Sequence, residues 1–237
     1  MKQSWHLRSP ARLEQVRSDV EAFCSTLHVV VEGEVVWARG SFPVRHGGEE
    51  LDRYLIEIEF PFDYPDWLPI VREVGGRIQW TADNHIYPQT GVCCVLLPED
   101  RWWSFPPRRP FTEYLRGPLH NYFLGQSVVA TGEKWPFGEH PHGALGVIAF
   151  YQEKFGTNDE MLTVRLLGAI AEGKLRGHWP CPCESGRIMR QCHPGVIETA
   201  KRMPSWAVRE SWESLRQSIK AAQAARSSGN TNAQSIE

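Results

Sequence analysis

The chain of 237 residues has no marked excess of either charge, no long apolar segment and few cysteines. Its 26 basic and 28 acidic side chains give a net charge of −2, which argues against general nucleic-acid binding, since that needs a strongly basic surface. No apolar run approaches the roughly 18 residues that a membrane-spanning helix requires. Arg8, Arg12 and Glu14 interrupt the region after Met1, so we expect no signal peptide. These absences predict a cytoplasmic protein that binds neither nucleic acid nor membranes.

Two further observations concern nucleotide binding and the redox state of the cysteines. The sequence contains no glycine-rich GxxxxGK[ST] loop of the kind that holds nucleotide phosphates, so any activation by adenylation would need another protein. The six cysteines, three of them in one short segment, fit a reducing compartment better than a disulfide scaffold. Hydrophobic residues make up 41% of the chain and ten are tryptophans, which is enough for one sizeable domain and a smaller appendage.

The densest group of metal-binding residue types lies near the C-terminus. Cys181 and Cys183 flank one residue, and Cys192 and His193 follow after a gap of eight residues. Thiolate and imidazole ligands at this spacing suit a tetrahedral structural zinc site, and the glycine at position 186 permits the turn between the two halves. The alternative is a chance cluster of reduced cysteines in a loop. The segment resembles the SEC-C motif, the zinc-binding tail of the SecA translocation ATPase, which implies that all four residues bind one structural Zn²⁺.

The first 80 residues predict one helix followed by an antiparallel meander. Apolar residues recur at helical spacing across 10–25, after a proline suited to a first turn. Two short extended runs, 28–31 and 35–38, flank a glycine turn and predict a hairpin. Residues 54–60 alternate between apolar and acidic side chains, as expected for a half-buried strand, and another short strand is expected around 77–80. We therefore expect an α/β fold of the α+β type.

The second half of the chain has mainly helical patterns. The boundary that we predict falls at Gly156-Thr157-Asn158, giving a first domain at 1–157. A helical region at 158–226 would contain the zinc motif at 178–195 as a small separate module. The polar residues 227–237 predict a disordered tail. The expected helices are 111–124, with a break or kink at Gly117-Pro118, and 143–155, 159–172 and 205–226.

The central region contains a second candidate for chemistry. Asn84 and His85 lie in a polar loop, and Cys93 and Cys94 follow in an apolar extended segment. Cysteine is the most effective side-chain nucleophile for acyl transfer near neutral pH when its thiolate is accessible. A cysteine in an apolar run is, however, more often a core residue than a nucleophile. Neighbouring side chains of an extended segment point to opposite faces, so only one of the two thiols is expected to face a cleft.

Residues 10–125 resemble ubiquitin-conjugating enzymes. Those proteins have an FPxxYPxxPP segment after a meander, then a His-Pro-Asn loop, a Gly-x-Ile-Cys-Leu segment and a Trp-Ser-Pro. The resemblance implies a UBC-like fold and, counting from the glycine, a nucleophile at Cys94. The matching residues are Phe60-Pro61, Tyr64-Pro65, Pro69, His85, Gly91, Cys94, Val95 and Trp103-Ser104.

One departure from that family concerns the loop before the cysteine. The family's His-Pro-Asn becomes His85-Ile86-Tyr87, so its asparagine is missing from the usual place. Asn84 or His85 would then supply a hydrogen-bond donor near the thioester, since any preorganised donor at the right distance can hold developing negative charge. A loop-anchoring role for His85 is the alternative. Cys93 is expected to pack inward, with a redox or second acceptor role as its alternative.

The resemblance implies a cysteine acyl carrier. Cys94 would accept a protein C-terminus as a thioester and pass it to an amine. The divergent loop together with the SEC-C-like tail resembles conjugating-enzyme-like proteins of bacterial antiphage (CBASS) operons. That setting implies as donor the C-terminus of a cGAS-like nucleotidyltransferase, with a separate activating enzyme as a further candidate partner. The alternatives are an inactive UBC-like binding module and a cysteine deconjugase that uses Cys94 with His85.

Overall fold

A four-stranded antiparallel sheet and several helices make up the N-terminal part of this mixed α/β protein. The computed structural model describes residues 3–138, 141 and 143–231. The chain forms two compact units, Met1–Glu139 and His140–Glu237. The division therefore differs from the predicted boundary at residue 157. The reason is that the helix Ala144–Phe155 packs against the helices that follow it, and so belongs to the second unit.

The sheet is a meander whose spatial order follows the chain, β1-β2-β3-β4. The predicted hairpin and the predicted alternating strand are both confirmed, and the second and third strands extend further than expected. Ile56, Ile58 and Phe60 are buried on the face that points into the core, because side chains two residues apart share a face. The strands are β1 (Leu27–Glu32), β2 (Val35–His46), β3 (Glu49–Phe60) and β4 (Ile70–Glu73).

The expected strand at 77–80 is wrong, and the buried carboxylate of Glu73 explains why. One oxygen of this side chain accepts a hydrogen bond from the Gly75 amide at 2.8 Å. The other accepts from the amides of Arg77 at 3.0 Å and Ile78 at 3.4 Å. These backbone donors are satisfied by a side chain, so the segment curls after β4 and does not form a ladder.

The N-terminal helices pack on the meander. The predicted helix at 10–25 is confirmed as α2 (Pro10–Phe23), preceded by the single turn α1 (Trp5–Arg8). Asp19, buried in α2, accepts a hydrogen bond from the Phe111 amide at 2.7 Å and so holds the start of the later helix against it. The remaining helices of this unit are α3 (Arg101–Ser104), α4 (Phe111–Tyr114) and α5 (His120–Ala130), the last two joined by a π-helical turn (Leu115–Leu119).

The π-helical turn contains Pro118, which has no backbone N–H to donate. The sequence predicted a break or a kink in this helix, and the structure instead accommodates the proline in a wider turn. Leu115 and Leu119 in that turn are fully buried. Packing against the core therefore keeps the helix continuous where its sequence would interrupt it.

The C-terminal unit is helical within the described residues. The two predicted helices at 143–155 and 159–172 are confirmed, and the final helix runs beyond its expected end to Thr231. Residues 227–231 of the expected tail are therefore helical, while 232–237 lie outside the described residues. No helix in the described part of the chain is long and apolar enough to cross a membrane. The helices are α6 (Ala144–Phe155), α7 (Glu160–Ala171), α8 (Met189–Cys192), α9 (Pro194–Arg202) and α10 (Ser205–Thr231).

The first prediction concerns the turn after β4. Replacing Glu73 by Ala removes the acceptor of three backbone amides and should lower the free energy of unfolding by about 2 kcal/mol. Denaturant unfolding followed by fluorescence measures this change. Glu34→Ala, an exposed glutamate in the hairpin turn, is the matched control and should change stability by less than about 0.5 kcal/mol. Equal effects of the two substitutions would contradict the role of Glu73.

Candidate active site and metal centre

The two adjacent cysteines of the N-terminal unit lie on an extended segment. In space, this segment runs between β4 on one side and the polar loop of residues 84–86 on the other. The Cys93 amide donates to the Val71 carbonyl of β4 at 2.8 Å, and Cys93 also pairs with Ile86 in an antiparallel bridge. The Cys94 amide donates to the His85 carbonyl at 2.7 Å. Backbone hydrogen bonds on both sides therefore fix the segment, and with it the direction of each thiol.

The two thiols differ in exposure as the alternation of side chains predicts. Cys93 is 5% exposed and belongs to the hydrophobic core, whereas Cys94 is partly exposed. Burial raises the pKa of Cys93 to about 11, so this thiol stays protonated near neutral pH. Burial also raises the pKa of Cys94, and a hydrogen bond from the Tyr87 side chain opposes that rise. Of the adjacent pair, Cys94 thus has the more accessible thiol.

Gly91, the residue from which the position of the nucleophile was counted, is required by its surroundings. Its φ of +67° is in the left-handed region, which a glycine adopts without strain. A Cβ placed on it would lie 2.5 Å from the ring of Trp80. The close contact holds the start of the cysteine segment against that ring, so a larger residue here would displace the segment.

Tyr87 is a residue of this site that the sequence analysis did not single out. It opens a tight turn, in which its amide donates to the Val92 carbonyl at 2.9 Å and its carbonyl accepts from the Gly91 amide at 2.9 Å. The turn returns the chain so that the Tyr87 side chain lies on the same outward face as Cys94, and the influence of Tyr87 lowers the pKa of the Cys94 thiol. The signal available in the sequence was its place as the third residue of the loop, where the resembled family has asparagine.

Asn84 and His85, the expected donors, are engaged with the protein itself. The Asn84 side-chain amide donates to the Gln79 carbonyl at 3.1 Å, and its backbone carbonyl accepts from Gln126 at 2.6 Å. The His85 ring packs against Trp135 with centroids 4.2 Å apart, and its backbone has a φ of +53°. These contacts anchor the loop that carries Tyr87. Both residues therefore have contacts that hold the loop in place beside the Cys94 segment.

The proline-rich turn after β3 is held by a buried arginine. The Arg101 guanidinium, 3% exposed, donates to the carbonyls of Pro65 at 2.6 Å and Asp66 at 2.7 Å. Its neighbour Trp102 is 8% exposed and lies in cation–π contact with it at 4.8 Å. This burial gives Trp102 a packing role in the unit. Arg101 thereby ties the turn to α3, which follows the cysteine segment.

The four residues expected to bind metal come together in the C-terminal unit. The ligand atoms of Cys181, Cys183, Cys192 and His193 all lie within 4.8 Å of one another. A tetrahedral site with metal–sulfur distances of about 2.3 Å has ligand–ligand separations of about 3.8 Å. The sulfurs of Cys183 and Cys192 are 3.3 Å apart. A cluster with these separations could hold a metal ion, and three thiolates with one imidazole are compatible with zinc.

The orientation of His193 gives independent support for a metal ion. Its Nδ1–H donates to the Phe155 carbonyl at 2.7 Å, which leaves Nε2 as the ring nitrogen with a free electron pair. Nε2 is buried and has no hydrogen-bond partner among the described residues. A buried polar atom without a partner is costly, and a metal ion at the cluster would satisfy it. The backbone carbonyl thus sets the tautomer that coordination needs.

A short hairpin brings the two halves of the cluster together. The Cys181 amide donates to the Arg187 carbonyl at 2.9 Å, and Pro180 pairs with Ile188 in an antiparallel bridge. The expected glycine turn is present, with Gly186 at a φ of +74°. A hydrogen bond from Ser185 lowers the pKa of Cys183, which favours the thiolate that binds metal.

Comparison of the chain with models of known families, with curated proteins and with solved structures gives no match. What the two sites can do must therefore be argued from their residues. The N-terminal site offers one accessible nucleophile with a hydroxyl donor beside it. The C-terminal cluster offers four ligands, and a fully coordinated tetrahedral ion has no open position for substrate.

The second prediction concerns the different accessibility of the adjacent thiols. Iodoacetamide should modify Cys94 well before Cys93, because Cys93 is buried and has a pKa of about 11. Since alkylation requires thiolate and the pKa of Cys94 is raised, its rate should climb about tenfold per pH unit from pH 7 into the alkaline range. Fragmentation mass spectrometry of the peptide that contains both residues measures each rate. Faster modification of Cys93 would reverse the assignment.

The third prediction concerns the metal cluster. Freshly purified protein should contain about one equivalent of metal ion, and the double substitution Cys181→Ser, Cys183→Ser should lose it. Elemental analysis measures the content. Cys94→Ser, which removes a thiol outside the cluster, is the control and should keep the metal. Less than half an equivalent in the wild type, or unchanged content in the double variant, would remove the metal site.

Proposed function

We propose that this protein is a cysteine acyl carrier of the ubiquitin-conjugating type, with Cys94 as its nucleophile and a UBC-like fold in its N-terminal unit. The observation that carries the proposal is the pair of adjacent thiols, of which Cys93 is in the core and Cys94 is partly exposed with a hydroxyl beside it. A cysteine that merely fills the core would not need this exposure or this donor.

The surrounding elements support the same proposal. In chain order they are the helix α2, the meander, the proline-rich turn, the polar loop and the segment from Gly91 to Cys94. This is the order in which the resembled family has them. Two of these connections are hydrogen-bonded: Arg101 of α3 holds the proline-rich turn, and Val71 of β4 holds the cysteine segment. These contacts, together with the order of the motifs, support the proposal that the motifs serve one site.

The proposed reaction has two acyl transfers. In the first, the Cys94 thiolate attacks the carbonyl carbon of an activated C-terminus, a C–S bond forms, and the activating group leaves with its electron pair. In the second, an amine attacks that thioester, the C–S bond breaks, and an amide is formed. The amine loses one proton in this step, and the sulfur gains one, so Cys94 returns as the free thiol. The activated donor is an acyl adenylate or a thioester made by another enzyme.

The raised pKa of Cys94 suits a carrier that must wait for its donor. Because burial disfavours the thiolate, the resting thiol exchanges slowly with small thioesters and electrophiles. A bound protein donor that covers the partly exposed side would supply the binding energy for attack. A deconjugase would instead need an oriented Cys–His pair, which the carrier mechanism does not require.

We assign the metal of the C-terminal cluster as a structural Zn²⁺. Cys181, Cys183, Cys192 and His193 would hold it, and all four tetrahedral positions would be filled by protein. The ion then supplies no chemistry and instead stabilises the hairpin that contains Cys181. The proposed setting is bacterial antiphage defence, with the C-terminus of a cGAS-like nucleotidyltransferase as donor and a separate activating enzyme. This setting is supported by the sequence resemblance alone.

The fourth prediction tests the carrier function without an activating enzyme. A synthetic peptide with a C-terminal thioester should load onto Cys94, giving an adduct that intact mass spectrometry detects and that dithiothreitol removes. Cys94→Ala should form no such adduct at this position. Cys94→Ser should give a slower, reductant-resistant ester. Cys93→Ala is the matched control and should load at a rate within about twofold of wild type, because it removes a buried thiol next to the reactive one.

The second half of the test is discharge. Addition of free lysine to the loaded protein should release the peptide as an amide faster than the same peptide is released from a small-molecule thioester. Equal loss of loading in both cysteine variants, with both proteins folded, would contradict a single nucleophile. If the loaded wild-type protein does not discharge to amines at all, the carrier function is contradicted and the binding-module interpretation is favoured.

A further inference from the structure

We propose that the Tyr87 hydroxyl is the hydrogen-bond donor for Cys94, first to the sulfur and then to the oxyanion of the intermediate that forms on it. The inference rests on the proposed function for the second of these roles. The hydrogen bond to the Cys94 sulfur does not depend on that function. Nothing in the resembled motif assigns this residue, because its place there belongs to an asparagine with a much shorter side chain.

The backbone register places Tyr87 and Cys94 on one face. Ile86 and Cys93 are bridge partners and are both buried, at 2% and 5% exposure. Side chains alternate along paired extended segments, so the residues that follow each partner point away from the core. Tyr87 is 48% exposed and Cys94 is partly exposed, as this register requires. The two side chains are diagonal neighbours across the pair, within reach of a side chain as long as tyrosine.

The turn that joins the two segments makes this pairing rigid. The Tyr87 amide donates to the Val92 carbonyl at 2.9 Å. The Tyr87 carbonyl accepts from the Gly91 amide at 2.9 Å and from the Thr90 amide at 3.1 Å. Gly91 is in turn packed on Trp80. A donor that is held by its own backbone costs little reorganisation when charge develops, which is the condition for effective electrostatic stabilisation.

The protonation state of Tyr87 is also appropriate for a donor. Burial, together with the charges of Cys94 and Glu99, raises its pKa to about 12, so the hydroxyl keeps its proton through the neutral and mildly alkaline range. The titratable groups that act on Tyr87 are thus the Cys94 thiol and the carboxylate of Glu99. A thiolate at Cys94 adds negative charge and therefore strengthens the hold of Tyr87 on its proton.

The hydroxyl acts without giving up that proton. When Cys94 attacks the donor carbonyl, the two π electrons of the carbonyl move onto oxygen, one bond away from the new C–S bond. The half-exposed ring can turn its hydroxyl from sulfur to this oxygen. Collapse of the intermediate restores the carbonyl and expels the leaving group. In the second transfer an amine attacks the thioester carbonyl, a second oxyanion forms, and its collapse breaks the C–S bond. Tyr87 is hydrogen-bonded throughout and is chemically unchanged at the end.

The fifth prediction uses Tyr87→Phe, which keeps the ring and removes only the hydroxyl. Alkylation of Cys94 by iodoacetamide, followed as a function of pH, should show its midpoint raised by about one unit, with a rate at pH 7 about tenfold lower. Tyr54→Phe is the matched control, because its hydroxyl bonds Ser127 at 3.0 Å and not the Cys94 thiol. It should leave the midpoint unchanged. Circular dichroism establishes that both variants are folded.

A second readout separates the two roles. Wild type and Tyr87→Phe are loaded with the synthetic peptide thioester, and discharge to lysine is followed from equal amounts of adduct. The proposal expects discharge from the variant to be at least about tenfold slower, since one lost oxyanion donor costs at least that much. An unchanged alkylation midpoint overturns the hydrogen bond to sulfur. A shifted midpoint with unchanged discharge overturns the oxyanion role. If wild type does not load, the proposed function fails while the alkylation result still decides the hydrogen bond.

Discussion

The antiparallel pairing of Ile86 with Cys93 is the constraint on which the proposed chemistry depends. Because adjacent side chains of an extended segment point to opposite faces, burial of this pair turns Cys94 and Tyr87 outward together. A shift of register by one residue would bury Cys94 and expose Cys93. The hydrophobic side chains around the pair resist that shift, since it would also bring the polar hydroxyl of Tyr87 into the core. The core packing of the unit thus selects which thiol can react.

The same dependence explains which parts of the site the sequence could predict. The alternation of Cys93 and Cys94 follows from backbone geometry alone, and the metal ligands follow from residue type and spacing. Tyr87 could not be found in this way, because its contact with Cys94 exists only after the turn at residues 87–92 has closed. Asn84 looked like a donor because it is polar and adjacent in sequence. In the structure its side-chain amide donates one hydrogen bond to the Gln79 carbonyl, a contact that the sequence did not indicate.

In the fold, too, features set by local sequence pattern were predictable, whereas features set by tertiary contacts were not. Helix α2 and strand β3 were predicted correctly because their apolar residues recur with clear periods. The strand expected at 77–80 was wrong because the side chain of Glu73 takes the amides that a ladder would use. The predicted boundary near residue 157 differs from the division at residue 139, because the sequence of the helix at 144–155 does not indicate which helices it packs against. Periodicity identifies an element, whereas its partners decide the unit to which it belongs.

Both proposed sites use backbone groups to set the state of a side chain. The Phe155 carbonyl fixes the tautomer of His193 and so presents Nε2 to the metal cluster. In the N-terminal unit the turn at Val92 fixes the backbone from which the Tyr87 side chain extends. Backbone positions are held by many hydrogen bonds at once, so a side chain oriented by them is less sensitive to changes elsewhere than one oriented by another side chain. In each unit a buried segment therefore determines the orientation of the group that reacts or binds.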